Sequence, residues 1–417
     1  MRRDFVIAVV NKASSKLMLS VDKHQMTQMR RYIVYVWSRV LVIFKHLFPG
    51  LGQKMSEDRE LTNRRKGYEW CRKSVGGTWA NIGEDQFGLG FKVVSGGLTN
   101  YLYLCSLPKK YPPQGNEPKE VLLRVYGDIA KDQEFLVRNT AVFAILSTKD
   151  LGPKLYVAHA EGRIEEYIPT QPLRTRDLQK PFLAEQIAKK MALFHAIKDM
   201  PLHKEPKFLE EKMFCWMEQV ENIFSNIPTE KDEASQRMLS RLQSFNLSDE
   251  LQTLLNILGS VSCPVVFSHN DLQEGNILYL EDCDQPERKM TFIDWEYCSY
   301  NYRGFDFGNH FCEWCYDYSH PDFPFFSYTK DYYPSKAQQY TFFRHYLSQQ
   351  SDVEPTEEYL KGMYKEANTF ALASHFFWAL WSIIQRDLSE IEFGYLDYAL
   401  LRVENYFDLK DRLQTIC

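Results

Sequence analysis

Ser268-His269-Asn270-Asp271-Leu272-Gln273-Glu274-Gly275-Asn276 is the stretch on which the reading of this chain turns. It lies between two apolar runs, Pro264-Val265-Val266-Phe267 and Ile277-Leu278-Tyr279-Leu280. Short apolar runs on either side of a polar segment containing Gly and Asn predict a strand, a loop and a second strand. One reading of the loop is a polar turn in which Asn270 and Asp271 bond nearby backbone. The other rests on spacing, because Asp271 stands five positions before Asn276. A carboxylate and a carboxamide so placed can serve a hydroxyl proton and a metal ion from one loop.

Met290-Thr291-Phe292-Ile293-Asp294-Trp295-Glu296-Tyr297 tips the choice. It reads as an apolar strand ending on Asp294, shortly after the loop. Phosphotransferases of the kinase type place a metal-binding Asp there. Their catalytic loop, H-R-D-x-x-x-x-N, carries the base and a further metal ligand at the spacing of Asp271 and Asn276. Asn276 and Asp294 together suit Mg2+, which keeps waters and phosphate oxygens as its other ligands. A buried strand-end Asp without a metal would need backbone donors instead. His-Asn-Asp stands where protein kinases have His-Arg-Asp, which argues against a protein substrate and an activation-loop switch.

A chain of 417 residues is long enough for one large or two ordinary domains. The net charge of −5 gives no sign of nucleic-acid binding. Aromatic residues make up 15% of the chain and crowd its C-terminal half, as core or as a recognition surface for a cation. Nine cysteines without the dense spacing of a secreted scaffold predict reduced intracellular thiols. Cys312 and Cys315 form one C-x-x-C near His310 and His320. Zinc normally needs a second pair, so buried thiols are the better reading.

Residues 1–54 form a leader with ten bases against two acids. Residues 32–48 are apolar and aromatic but are broken by Arg39 and Lys45, which is too short and too charged for a comfortable membrane span. Two readings stay open: a basic amphipathic helix in weak contact with an anionic membrane surface, or a dispensable leader before Met55.

Residues 55–170 then read as an N-terminal lobe and 171–417 as a C-terminal lobe. A helix is predicted over residues 56–73. Strands over 91–94 and 101–107 flank Ser95-Gly96-Gly97-Leu98-Thr99-Asn100. Its glycines and hydroxyls can bring donors to a phosphate, or simply close a hairpin. In the third strand, Glu120-Val121-Leu122-Leu123-Arg124-Val125-Tyr126-Gly127, Arg124 calls for an anionic partner or lies on the polar face. The helix over 132–148 offers Glu134 as an acid to orient it. A hairpin over 154–158 and 163–168 leads into a hinge at 169–172. Helices over 181–198, 208–224 and 231–258 follow as scaffold, with His195 a core histidine. Arg303 and Asp306 either pair, or Asp306 braces the catalytic loop. Trp378 and Trp381 share one helix face, which spacing alone assigns to the core.

Taken together, these stretches resemble the choline/ethanolamine kinase family from about Glu69 to Leu409. The motifs that carry the resemblance are Val-Ser-Gly-Gly-Leu-Thr-Asn, Val-Leu-Leu-Arg-Val-Tyr-Gly, His-Asn-Asp-Leu-Gln-Glu-Gly-Asn-Ile-Leu, the run from Ile293 to Phe311, and Ala-Ser-His-Phe-Phe-Trp-Ala-Leu-Trp-Ser-Ile. The resemblance implies an α+β, protein-kinase-like two-lobed fold, with a small antiparallel-sheet N-lobe and a large, mostly helical C-lobe. It implies phosphorylation of choline, and often ethanolamine, with ATP and Mg2+, as the first step of phosphatidylcholine synthesis. It also implies a cytoplasmic homodimer, or a heterodimer with a related subunit.

By matching position, Asp271 would be the base and Asn276 and Asp294 the metal ligands. Ser95, Gly96, Gly97, Leu98, Thr99, Asn100, Arg124, Glu166, Ile168, Gln273 and Asp294 would bind ATP. Glu296, Tyr297, Tyr318, Trp378, Trp381, Phe393 and Tyr398 would bind choline. Three positions depart from the family pattern. Asn139 stands where the helix usually carries Glu, and Glu166 and Gln171 replace Gln and Arg in the hinge. Arg124 would then lose an orienting acid unless Glu134 substitutes. Ethanolamine kinase is the second reading. A weakly active paralogue that binds choline or pairs with an active subunit is the third. The Trp378/Trp381 pair favours choline.

Overall fold

The computed structural model describes residues 49–96, 100–126, 133–170, 172–226, 233–281, 288–350, 353–389 and 391–416. The leader through residue 48, Gly97, Leu98, Thr99 and Gln171 lie outside these residues, as do the side chains of Ser95 and Glu134. The chain divides into two compact units, Met1–Lys66 and Gly67–Cys417. What is described of the first is the polar beginning of helix α1 (Pro49–Trp70). Among the described residues no helix is long and apolar enough to cross a membrane.

The second unit opens with a sheet of β1 (Phe91–Gly96), β2 (Asn100–Ser106), β3 (Glu120–Tyr126), β4 (Leu155–His159) and β5 (Gly162–Glu166), with helix α2 (Gln133–Thr148) inserted before β4. All pairings are antiparallel, in the order β1-β2-β3-β5-β4. Alternation along β3 buries Val121, Leu123 and Val125 in a core with Trp79, Phe87, Tyr103 and Ile164. Arg124 is therefore on the other face. The register sets Arg124 opposite Arg163 and Leu122 opposite Glu165. Glu165 is thus a diagonal neighbour of Arg124 on that face.

The remainder is mostly helical: α3 (Pro181–His195), α4 (Phe208–Ser225), α5 (Glu233–Ser244) and α6 (Leu247–Gly259). The single helix expected over 231–258 is two, because Asn246 adopts a left-handed backbone with φ 48° between them. The strands around the catalytic loop do not pair with each other. β6 (Val265–Ser268) pairs with β9 (Ser299–Tyr302), and β7 (Ile277–Tyr279) with β8 (Met290–Phe292). Two ribbons thus hold the loop at both ends.

Helix α7 (Arg303–Glu313) follows β9, and α8 (Lys336–Leu347), α9 (Glu357–Leu388) and α10 (Tyr395–Ile416) complete the chain. Thr356 caps α9 by accepting from Tyr359 N–H, and Glu357 and Glu358 favour its first turn. Helix α7 approaches α9 closely because Gly308 has no side chain. A Cβ there would lie 2.5 Å from Ala367 O and from Ala371 N. This approach brings Asn309 to Ser374 and Trp378, so a glycine deep in the helical core helps to position an aromatic side chain.

Candidate active site

The chain leaves β6 and turns on Asn270, which has φ 67°. Asn is among the few residues with a side chain that tolerate this backbone. Its amide is used on every side. Asn270 Nδ2 donates to Tyr297 O and Ser299 Oγ, each at 2.8 Å, and Oδ1 accepts from Asn301 Nδ2 at 2.7 Å. Where a protein kinase has Arg, this chain stitches its loop to β9.

His269 Nε2 lies 2.9 Å from Ile293 O, and Asp271 N–H donates to His269 Nδ1 at 3.3 Å. A carbonyl only accepts, so the proton sits on Nε2 and Nδ1 is the acceptor. Burial lowers the pKa of this imidazole and keeps it neutral. His269 thereby ties the loop to the residue before Asp294.

Beneath the loop, Asp306 of α7 accepts from His269 N–H at 2.8 Å and Asn270 N–H at 2.6 Å. Its Oδ2 lies 3.0 Å from His195 Nε2, and His195 Nδ1 lies 3.0 Å from Tyr346 OH. Of the two alternatives for Asp306, bracing the loop is the one found. Arg303 pairs instead with Glu366 at 2.8 Å. His195 is a satisfied core group.

Asn276 Nδ2 donates to Asp271 O at 2.8 Å and to Asp271 Oδ2 at 3.1 Å, which aims the Asp271 carboxylate. Burial first, then the charges of Glu313, Asp294 and Glu296, push the Asp271 carboxyl well above the ordinary carboxylate range. The bond from Asn276 pulls it back. Burial and Asp294 push Glu296 up to about 7, against Arg124 and Lys212. Glu274 is pushed up to about 8 by burial and by Glu313. Carboxylates this close make a field that draws cations in.

Asp294 also adopts a left-handed backbone, with φ 63°, and is exposed. Among the described residues its carboxylate accepts no hydrogen bond. A left-handed, non-glycine residue at a strand end, whose exposed carboxylate no described protein donor engages, fits a bound cation. Asn276 fits as well: its amide nitrogen is occupied by Asp271, and its oxygen remains for a second partner.

On the sheet side, Arg124 Nη2 and Nε lie 3.2 and 3.3 Å from Glu165 Oε1. Arg163 Nε donates to Glu165 Oε2, and its guanidinium stacks over Phe143 at 3.9 Å. The expectation that Arg124 loses its acid with Asn139 is therefore corrected. An acid comes from β5, one diagonal step away; the Glu134 side chain lies outside the described residues. Arg124 in turn feels the charge of Asp294.

The other nucleotide candidates are spread out. Ser95 and Gly96 end β1 opposite Leu102 and Tyr101, and Asn100 lies opposite Tyr126. Gln273 Oε1 accepts from Gly275 N–H at 2.6 Å and so holds the loop's own turn. Ile168 is buried in the connection after β5. Glu166 turns toward Arg288 and Lys154 N–H, not toward Asp271.

The amine candidates form two groups of rings. Tyr297 and Trp378 have centroids 5.5 Å apart, and Trp378 and Trp381 5.6 Å apart. Tyr318, Phe393 and Tyr398 lie within 6.5 Å of one another. Tyr395 joins the groups, 6.1 Å from Trp381 and 5.0 Å from Phe393. Trp378 Nε1 donates to Asn309 Oδ1 at 2.7 Å. Tyr318 OH donates to Glu313 Oε2 at 2.8 Å, and Arg402 Nη2 donates to Glu313 Oε1 and to Tyr398 OH.

A family profile described as Choline/ethanolamine kinase matches residues 91–407. A human choline/ethanolamine kinase is 45% identical over 367 residues, covering 87% of this chain and 89% of that one. Mouse choline kinase alpha is 45% identical over 86% of this chain and 83% of its own length. The chain belongs to the choline/ethanolamine kinase family. The crystal structure of choline kinase from Cryptosporidium parvum superposes with a TM-score of 0.69 at 29% identity, over 84% of this chain and 96% of that one. Ethanolamine kinase from Plasmodium vivax shares the fold at a TM-score of 0.60. The protein-kinase-like two-lobed fold, expected from the motifs, is the fold of this family member.

Within that fold, four residues around the site went unnamed as candidates in the sequence: Glu313, Arg402, Tyr395 and Asn309. Glu165 was noticed only as part of the hinge motif. Glu313 ends α7 inside the C-x-x-C, and a charge inside an otherwise apolar aromatic run was a usable signal. Arg402 gave a similar signal, flanked by Leu400, Leu401 and Val403. The thiols of Cys312 and Cys315 are buried and free, with Cys312 Sγ 3.5 Å from His375 Nε2.

Proposed function

We propose that the protein transfers the γ-phosphoryl group of ATP to the hydroxyl of choline, with ethanolamine as a second acceptor. The observation that carries this reading is one carboxylate, Asp271, oriented by Asn276 and within the field of Asp294 and Glu296, whose charge is felt by Tyr297, a ring packed on Trp378 and through it on Trp381. Asp271 aligns the acceptor hydroxyl and takes its proton. Asn276 and Asp294 would hold Mg2+, which when bound neutralises charge on the phosphate oxygens. Arg124, fixed by Glu165, presents a planar guanidinium to those oxygens. A trimethylammonium group cannot donate hydrogen bonds and is held by aromatic faces. Nearby carboxylates draw the cation in and suit the primary ammonium of ethanolamine. Positioning and electrostatics supply most of the acceleration. The product would enter phosphatidylcholine synthesis, in a cytoplasmic homodimer or a heterodimer with a related subunit.

The experiment is incubation of the purified protein with Mg-ATP and choline, with phosphocholine measured directly and ethanolamine run in parallel. Choline should show the higher kcat/KM. Asp271→Ala should lower kcat by roughly 100- to 10,000-fold. Unchanged turnover in that variant would overturn the assignment of the base.

A further inference from the structure

Glu166, where the family resemblance leads one to expect glutamine, is tied by charge to residues distant in sequence. Its Oε2 accepts from Arg288 Nη2 at 2.5 Å and from Lys154 N–H at 2.9 Å. Arg288 Nη1 donates to Asp150 Oδ1 at 2.7 Å. Lys190 Nζ donates to Asp150 O at 2.9 Å, and Asp150 itself has φ 55°. These residues come from both lobes. Glu166 ends β5, Asp150 follows α2, Arg288 precedes β8, and Lys190 is on α3.

The same strands carry two groups of the site. β5 pairs with β3, which bears Arg124, and β8 runs on to Asp294. Arg124 and Asp294 attract each other across the gap between the lobes. Near the hinge the lobes are therefore tied by the two ion pairs of Arg288. The Arg288 and Glu166 side chains are only 13% and 22% exposed, so water and salt screen the pair less than an open surface pair. A planar guanidinium reaching two carboxylates fixes both, which a lysine or a neutral amide does not.

We propose that Arg288 is a positioning residue for the nucleotide. By clasping Glu166 and Asp150 it sets the separation of Arg124 and Asp294, and so the tightness with which a nucleotide polyphosphate is held. This rests on the phosphotransferase reading above. The clasp belongs to a chain with a carboxylate at 166, since glutamine there keeps the shape but removes the charge.

The test compares wild type, Glu166→Gln, Arg288→Met and the double variant. ADP binding with Mg2+ is followed by titration calorimetry, and KM is measured for ATP and for choline. Each single substitution should weaken ADP binding and raise KM for ATP by roughly three- to ten-fold, the scale of a partly screened ion pair. KM for choline should stay within about two-fold, since the amine pocket does not touch the clasp. The double variant should be no worse than Arg288→Met alone, because both changes remove one contact. Wild-type ADP affinity in the single variants, effects that multiply in the double, or an equal rise in KM for choline would each overturn the proposal. Should Arg288→Met fail to fold, Asp150→Asn and Glu166→Gln remove the clasp one ion pair at a time from its acidic side: each should weaken ADP binding and their double variant more than either, and wild-type ADP affinity in both single variants would overturn the proposal. A wild-type protein that makes no phosphocholine would sink the functional reading instead, while the ADP titration still reads the clasp.

Discussion

The catalytic loop at 268–276 and the rings of Tyr297, Tyr318, Trp378, Trp381, Phe393 and Tyr398 are held by different kinds of force. Almost every polar atom of the loop's backbone turn has a directional partner: Asp306 for two N–H groups, Ile293 O for His269, and Asn301 for Asn270. The rings rest mainly on one another, with a few hydrogen bonds at their edges, such as Trp378 to Asn309 and Tyr398 to Arg402. Directional bonds fail abruptly when one partner goes, because a buried donor is left without water or acceptor. Ring packing fails gradually, because each ring has several neighbours. Proton transfer needs the first kind of support, and holding a rounded cation needs only the second.

The sharpest way to break this contrast is Asp306→Ala. It strips the acceptor from His269 N–H, Asn270 N–H and His195 at once, and should cost about 3–5 kcal/mol of stability. Urea unfolding checks it, and a cost below about 1 kcal/mol would mean the loop does not depend on directional bonds. Trp381→Leu should be milder. KM for choline should rise roughly three- to thirty-fold, the range of one cation–π contact, with a smaller rise for ethanolamine. Equal rises for the two amines would deny the ring a role in selecting the quaternary ammonium.

The smallest effect is one of pH. As the proposed base, Asp271 would act only as the carboxylate, so kcat/KM should fall as pH drops through its raised pKa. Glu296 is one of the charges that raise it. Glu296→Gln therefore lowers that pKa and moves the acid limb of the kcat/KM profile to lower pH. A limb that stays in place, or moves upward, would show that Glu296 does not act on the base.

Much of the loop was legible in the sequence because its logic is local. Asp271 and Asn276 reach each other within one turn of chain, and Asp294 is announced by the apolar strand that ends on it. The five strands of the sheet were legible as short apolar runs between turns, with alternation read in 101–107. The break at Asn246 was not, because an apolar pattern continues across it and only the backbone shows the left-handed residue. Asn139 misled for a related reason. It marked an acid missing from position 139, while Glu165, which pairs with Arg124, becomes its neighbour only through strand register.

By itself, then, the sequence determined the order of elements, the spacing of the loop and the presence of enough aromatic residues for a cation. These are set within a few residues of chain, by hydrophobic period and by turn chemistry. Tertiary structure alone decided which groups meet: Asp306 under the loop, Glu165 beside Arg124, Arg402 behind the rings and Arg288 across the lobes. Each joins segments that are remote in sequence. Such pairs form because burial leaves a charge or polar group no water, and the fold must bring it a partner from elsewhere in the chain.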